Sequence, residues 1–316
     1  MQPLLLQKLW PQKSPGSKLS SIFLLSPAPQ GKPPLSQIQS EIIAGVGLIT
    51  LNRPQALNAL TLQMVVDLNT LLTDWRDNPK VAVVAIRGSH KQGPFGHFCA
   101  GGDIRFFHDA TIASDPGLET FFTAEYSLNH LIYSYPKPYI AFMDGVVMGG
   151  GMGLCQSADL RIVSERTKMA MPETNIGLFP DVGGGYFLSR CPGASGEYLA
   201  LTGQVLIGDD ALAVGLADGF AASDSMPELW NSLTEDQQLS PTQRVEQLQK
   251  KLTRTAPKPQ WLDPQINSIF ALPTVAAIVQ ALQQANNDWA SQTLQSLRQR
   301  SPLMLHVSLE QIRRGR

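Results

Sequence analysis

The chain has little charge of either sign and no long uninterrupted apolar run. Among its 316 residues, Lys and Arg total 25 and Asp and Glu total 26, so the formal net charge is -1. A protein that binds nucleic acid through phosphate contacts usually carries a basic excess, which argues against that class. The longest apolar run, residues 139–154, is interrupted by Asp144 and several glycines, so we expect no membrane-spanning segment.

Cysteine and histidine are sparse and lack the spacings of metal sites or disulfide frameworks. The three cysteines are far apart and form no CxxC pair. The five histidines show no HExxH or other paired spacing, so we expect no metal site. Phosphate-loop, dinucleotide-binding and GxSxG motifs are also lacking. These absences argue against the common metal, nucleotide and serine-nucleophile chemistries.

Residues 1–40 differ in composition from the rest of the chain. They contain seven prolines and four lysines but no Asp or Glu. Such a composition is typical of disorder, so we predict a disordered N-terminal extension. The cysteine pattern fits a reducing compartment, so we predict a cytoplasmic protein. If the extension is instead a transit peptide, the protein belongs in the mitochondrial matrix. Transit peptides are usually rich in Arg, and this segment has none.

From residue 45 onward the pattern is that of an α/β domain. Short apolar runs typical of strands covered on both faces occupy residues 46–51, 81–86, 138–143 and 160–163. Thr61 is a candidate N-cap for a helix that Asn78 and Pro79 end. Strands that alternate with helices indicate a mostly parallel sheet.

After about residue 203 the pattern changes to helical spacing with little strand signal. Helical periodicity covers residues 228–233, 241–252, 263–272 and 274–297. We therefore divide the chain into the extension (1–40), an α/β core (41–222) and a helical region (223–316). An amphipathic stretch runs almost to the last residue without a closing cap, so we expect the helical region to be truncated.

Three clusters rich in glycine or carboxylate follow the predicted strands, where active-site loops usually lie. They span residues 98–104, 145–153 and 171–185. Glycines at a loop-to-helix junction let a carbonyl group approach backbone N–H groups, so the first two clusters together suit an oxyanion hole. The same glycines also suit tight turns and helix–sheet packing.

The third cluster contains Glu173 and Asp181, eight residues apart in an otherwise apolar stretch. Apolar surroundings raise the pKa of a carboxyl group, which suits acid–base catalysis. The alternative is that Glu173 caps one helix and Asp181 begins another. The presence of all three clusters in one chain favours a catalytic site.

These motifs resemble those of the crotonase (enoyl-CoA hydratase/isomerase) superfamily. The segments NRP…NAL, F…GDI and G…GGG follow one another at residues 52–60, 98–104 and 145–151, in the order of that family. The resemblance implies an α/β spiral fold of repeated ββα units with a helical C-terminal region, and an acyl-CoA substrate. It places the backbone N–H groups of Gly102 and Gly150 in the oxyanion hole.

The chain differs at one position from the two-carboxylate hydratases of this family, which carry a Glu where this chain has Gly153. We therefore do not expect two glutamates to add water across a double bond. Glu173, Asp181 and the upstream run EYSLN, which starts at Glu125, resemble a different branch. Members of that branch hydrolyse the thioester of 3-hydroxyisobutyryl-CoA, and often 3-hydroxypropionyl-CoA, in valine degradation.

The resemblance also implies roles for particular residues. Glu173 would attack the thioester carbonyl or activate water, Asp181 would accept a hydrogen bond from the 3-hydroxyl, and Glu125 would be a further polar contact. The backbone near Ala100 and Asp103 would bind coenzyme A. The acyl-CoA substrate is then the small-molecule partner, with no metal, organic cofactor, nucleic acid or membrane implied, and a homo-oligomer is compatible with the family.

Two other functions remain open at this point. An enoyl-CoA isomerase or hydratase acting on another acyl-CoA needs proton transfer, for which one acid at Glu173 suffices. A non-catalytic acyl-CoA-binding protein would bind coenzyme A without turnover. The presence of Glu173, Asp181, Gly102 and Gly150 together argues against a degraded active site.

Overall fold

A computed structural model describes residues 36–93, 95–255 and 262–316 of the chain. The strands are β1 (Ile38–Ile43), β2 (Val46–Leu51), β3 (Val83–Gly88), β4 (Tyr139–Met143), β5 (Val146–Met148), β6 (Leu160–Val163), β7 (Lys168–Ala170), β8 (Leu206–Ile207) and β9 (Gly219–Phe220). Short 3₁₀ turns occupy Pro54–Ala56, Glu173–Ile176 and Ser223–Ser225.

Helices follow or separate most of these strands and make up most of the last third of the chain. They are α1 (Leu62–Asp77), α2 (Ile104–Ala113), α3 (Gly117–Tyr133), α4 (Gly150–Cys155), α5 (Gly184–Ser189), α6 (Ser195–Thr202), α7 (Asp210–Ala213), α8 (Met226–Glu235), α9 (Pro241–Lys250), α10 (Gln265–Phe270), α11 (Val275–Ala285), α12 (Asp288–Arg298) and α13 (Pro302–Arg314). None of the helices in the described ranges is both long and apolar enough to cross a membrane.

Two sheets organise the α/β part. The larger has the order β1-β2-β3-β4-β6-β9, with β1 antiparallel to β2 and the other neighbours parallel. The smaller has the order β5-β7-β8. The chain passes from β4 in the larger sheet to β5 in the smaller sheet and then enters α4. It passes likewise from β6 to β7 and then enters the 3₁₀ turn at Glu173–Ile176. This alternation is the repeated ββα pattern that the family resemblance implies.

The local sequence accounts for the main elements of the core. All six residues of β2 are buried, as expected for a strand covered on both faces. The Thr61 hydroxyl accepts a hydrogen bond from the Met64 N–H at 3.2 Å, which caps α1. The helix then ends at Asp77, directly before Asn78 and Pro79, as predicted.

The structure corrects two predicted boundaries. The extension predicted over residues 1–40 ends earlier, because Ile38 is buried and pairs with Leu51 at the start of β1. Residues 1–35 lie outside the described part of the chain. The helix predicted over 274–297 is two helices, because Asn286 adopts a left-handed φ of 46° and the Asn287 side chain caps α12.

The helical region packs onto the core instead of forming a separate unit, since residues 36–316 cluster as one body. Helix α13 packs against α5 and α6. From α13, the Gln311 Nε2 donates a hydrogen bond to the Pro180 carbonyl at 2.8 Å. The last helix therefore contacts the loop that carries Asp181.

A buried asparagine joins the loop after β2 to the loop after β3. Asn58 is fully buried, and its Nδ2 donates to the carbonyls of Ser89 at 3.1 Å and His97 at 2.6 Å. Its Oδ1 accepts from the Arg53 N–H at 2.7 Å. One side chain therefore satisfies three backbone groups and aligns the two loops that precede Gly102.

We expect Asn58→Ala to lower the free energy of unfolding by about 2–3 kcal/mol, because it leaves buried backbone groups without partners. Urea unfolding of the purified protein measures the change. Asn231→Ala, at an exposed position of α8, is the control. A loss at Asn58 no larger than that of the control would contradict the role assigned to this side chain.

Candidate active site

Two backbone N–H groups meet at the start of α4. A Cβ atom built on Gly150 would lie 3.4 Å from the Gly102 nitrogen, so the two glycines are neighbours. Neither N–H donates to an acceptor within the described ranges. Gly150 is the first residue of α4, where helical N–H groups lack internal partners and favour negative charge. The pair has the geometry of a hole for a developing oxyanion.

Glu173 lies beside this pair. It begins a 3₁₀ turn after Pro172, and only 5% of its surface is exposed. A Cβ atom built on Gly149 would lie 2.7 Å from Glu173 Oε1, so only glycine permits this approach. Gly149 also has a φ of 50°, which L-residues with side chains rarely adopt. The other carboxylate oxygen, Oε2, is buried without a hydrogen-bond partner.

Glu125 approaches the same glycines from α3. Its exposure is 2%, and a Cβ atom built on Gly150 would lie 2.3 Å from its Oε1. That oxygen, too, is buried without a hydrogen-bond partner. Glu125 and Glu173 therefore contact adjacent residues of the triple glycine.

Burial controls the protonation of both glutamates. Loss of water raises the pKa of Glu173 to about 8, and the nearby charges of Asp181 and Glu125 add to the shift. Loss of water likewise raises the pKa of Glu125 to about 8, with Asp181 as the second cause. At neutral pH and without substrate, the structure favours the protonated forms of both.

Asp181 differs because a side chain donates to it. The Tyr126 hydroxyl hydrogen-bonds Asp181 Oδ2 at 2.8 Å, an interaction that favours the ionised carboxylate. Burial raises the pKa of Asp181, and the Tyr126 bond opposes this shift. The next residue, Val182, has a φ of 41°, a strained value for a β-branched side chain. Strain of this kind persists where packing imposes it, here beside the carboxylate.

The position at which related hydratases carry a second glutamate has no room for a side chain. A Cβ atom built on Gly153 would lie 2.7 Å from Asn129 Nδ2 and 2.8 Å from Val182 Cβ. Because two neighbours already occupy this space, a carboxylate cannot be added there without moving them. The thiol of Cys99 offers no alternative nucleophile, since burial raises its pKa to about 12.

Two residues predicted to bind substrate have structural partners in the described chain. The Asp103 carboxylate caps α2 and pairs with Arg53 at 2.7 Å. Partial burial would raise its pKa, but the Arg53 hydrogen bond and charge outweigh that effect and lower it. The Ala100 N–H donates to the Leu57 carbonyl at 3.1 Å. Both residues hold the segment that presents Gly102, and a contact with coenzyme A remains a prediction.

The structure thus gathers Glu125, Glu173 and Asp181 around Gly102 and Gly150. Two neighbours had no role assigned from the sequence, namely Tyr126 and Asn129. Both lie in the run EYSLN. Asn129 is four residues after Glu125, so helical spacing puts it on the same face of α3, whereas Tyr126 directly follows Glu125 and does not share that face. Applied to that run, this spacing would have indicated Asn129 but not Tyr126.

The α/β fold brings two backbone N–H groups next to buried carboxyl groups, an arrangement suited to stabilising negative charge on a carbonyl oxygen. The enoyl-CoA hydratase/isomerase family profile matches residues 46–316. The chain therefore belongs to the enoyl-CoA hydratase/isomerase family, and it has the predicted crotonase fold.

Individual relatives show which members of the family the chain resembles. The chain is 43% identical over 276 residues to 3-hydroxyisobutyryl-CoA hydrolase, mitochondrial, of Xenopus tropicalis, covering 85% of this chain and 70% of that protein. Identity to the Homo sapiens protein of that name is 39% with the same coverage. A carnitinyl-CoA dehydratase structure from Mycobacterium thermoresistibile has a TM-score of 0.79 at 36% identity, covering 89% of this chain and 80% of that one.

Because the two glutamates have raised pKa values, stability should depend on pH. A carboxyl group with a raised native pKa stabilises the fold at low pH, and this contribution is lost as pH rises toward the native value. We expect the free energy of unfolding to fall between about pH 5 and pH 8. In Glu125→Gln this fall should be smaller. Urea unfolding at both pH values measures it, with Glu119→Gln, exposed on the same helix, as control. An equal fall in wild type and Glu125→Gln would contradict the assignment.

Proposed function

We propose that this protein hydrolyses the thioester of 3-hydroxyisobutyryl-CoA, and of 3-hydroxypropionyl-CoA, to the hydroxy acid and free coenzyme A. The observation that carries the proposal is the position of Glu173 beside the N–H groups of Gly102 and Gly150, with Glu173 Oε2 and both N–H groups lacking hydrogen-bond partners among the described residues. The relatives named 3-hydroxyisobutyryl-CoA hydrolase support the choice of substrate.

The reaction follows from this arrangement. The thioester oxygen accepts hydrogen bonds from Gly102 and Gly150, which stabilise the oxyanion as the carbonyl carbon becomes tetrahedral. In one route Glu173 attacks that carbon and the C–S bond breaks, giving an anhydride that water hydrolyses. In the other route Glu173 removes a proton from the attacking water. Both routes consume one water and release the acid and the thiol. Label found in Glu173 after one turnover in ¹⁸O-water identifies the anhydride route with attack of water on the glutamyl carbonyl, because the second route places the label only in the product.

The other two carboxyl groups bind the acyl part of the substrate in this proposal. Asp181 accepts a hydrogen bond from the 3-hydroxyl, and the Tyr126 hydroxyl, which donates to its Oδ2, favours the ionised form. Glu125, held against Gly150, is a further polar contact, next to the glycine that Glu173 contacts. The loop at residues 53–60 and the backbone near Ala100 would hold coenzyme A, which arrives as part of the substrate.

Hydration of an enoyl-CoA is the competing function, and solved relatives carry hydratase and dehydratase names. The filled space at Gly153 argues against it, because the second glutamate of the two-carboxylate hydratases has no room at that position. The two activities also differ in product, since hydrolysis releases a thiol and hydration does not.

The names of the relatives bear on location as well. They are called mitochondrial, and residues 1–40 of this chain carry four lysines and no acidic residue. These observations support the mitochondrial matrix, the second of the two locations considered from the sequence.

We expect Glu173→Gln to lower the rate of thiol release from 3-hydroxyisobutyryl-CoA by at least about a hundredfold, because the amide can neither attack nor accept a proton. A thiol reagent follows the reaction, and crotonyl-CoA hydration is assayed in parallel. Glu119→Gln is the matched control on an exposed surface. Thiol release that survives in Glu173→Gln would overturn the role of Glu173, and hydration without thiol release would overturn the function.

The rate should also depend on pH in a defined direction. Glu173 acts as a carboxylate, and its pKa in the free protein is raised to about 8 by burial. The pH dependence of kcat/KM reports the pKa values of groups in the free enzyme. We therefore expect kcat/KM to rise with pH through a midpoint near pH 8. Measurements from pH 6 to 9, corrected for uncatalysed hydrolysis, check this. A rate that is level across this range would show that another group limits the reaction.

A further inference from the structure

Asn129 is a buried amide with no partner for either polar atom. Both Nδ2 and Oδ1 are inaccessible and form no hydrogen bond within the described residues. An unpaired buried amide is unfavourable, because it has lost its hydrogen bonds to water without replacing them. Since neither atom has a partner, the amide is free to present its NH₂ or its carbonyl to a ligand.

The position of Asn129 relates it to the candidate active site. It lies one helical turn after Glu125 on α3, so both side chains project from the same face. Glu125 contacts Gly150, and Asn129 contacts Gly153 one turn later on α4. Helix α3 therefore lies along α4. The Glu125 carboxyl group lies beside Gly150, and the Asn129 amide lies beside Gly153, one turn further along α4.

A cavity of about 280 Å³ opens beside this amide. Its lining includes Tyr126, Asn129, Asp181, Val182 and Gln311. Tyr126 gives its one hydrogen to Asp181, and Gln311 gives one of its two amide hydrogens to the Pro180 carbonyl. Asn129 has an NH₂ group with no acceptor among the described residues, so both of its hydrogens are free for a ligand.

A hydroxyl group needs both kinds of partner, because it donates one hydrogen and accepts at two lone pairs. Asp181 supplies an acceptor for the hydrogen, but a carboxylate offers nothing to the lone pairs. The Asn129 NH₂ supplies the missing donor from the same cavity. The two side chains together match a hydroxyl, whereas either alone leaves it half satisfied.

We propose that Asn129 determines specificity for hydroxylated acyl chains by donating a hydrogen bond from Nδ2 to the 3-hydroxyl oxygen while Asp181 accepts its proton. The inference rests on the proposed function and adds the residue that selects the substrate. An acyl chain without the hydroxyl leaves the Asn129 amide unpaired in the complex, so the site discriminates against it.

The test compares two thioesters that differ by one hydroxyl, 3-hydroxyisobutyryl-CoA and isobutyryl-CoA. The wild-type ratio of kcat/KM for the two should favour the hydroxylated substrate. Asn129→Leu keeps the approximate size and removes both polar atoms, and we expect the ratio to fall by about ten- to a hundredfold. Each variant serves as its own folding control, because both substrates are measured on the same protein. Ser127→Ala, on the exposed side of α3, should retain the wild-type ratio.

The outcomes separate this inference from the function on which it rests. A wild-type protein that releases no thiol from either substrate overturns the proposed function. Thiol release with equal kcat/KM for both substrates leaves the hydrolase standing but overturns hydroxyl recognition. A wild-type preference that persists in Asn129→Leu overturns the role of Asn129. If Asn129→Leu lowers kcat/KM by the same factor for both substrates, the role of Asn129 is also overturned, because the effect is then structural.

Discussion

The close approach of carboxyl groups to a glycine turn is the constraint on which the site depends. Glu173 and Glu125 occupy the space that side chains at Gly149 and Gly150 would fill. The glycines also leave their N–H groups at the beginning of α4, so the turn that admits the carboxyl groups also supplies the donors. Two sheets and the surrounding helices hold this turn away from water, which raises the pKa of both glutamates.

Much of this arrangement was predictable, because the decisive signals are local. The triple glycine, Glu173 and Asp181 lie in short motifs, and their order implied the fold. The remainder depends on contacts between distant residues. The bond from Tyr126 to Asp181 joins residues 55 positions apart, and α3 itself was not predicted. Likewise, β1 was missed because a six-residue edge strand with one buried side chain has a weak apolar pattern.

Proteins named for different reactions share this fold. Solved structures named for dehydration and hydration share the architecture at TM-scores near 0.79. In this chain, Asn129 and Val182 fill the space beside Gly153, and the strained backbone of Val182 shows how tightly that corner is packed. Fold alone therefore does not determine the reaction. The α3 side chains that lie against the glycines, Glu125 and Asn129, limit which reactions the site suits.

The hydrogen bond from Gln311 to Pro180 links the end of the chain to the loop that carries Asp181. Parts of a protein open locally at a lower free energy than the whole unfolds, as amide hydrogen exchange shows for many proteins. If α13 separates from α5 and α6 while the sheets stay folded, the Asp181 loop loses this anchor. Heating would then abolish catalysis at a lower temperature than that at which the protein melts. Thermal inactivation would report the docking of one helix instead of global unfolding.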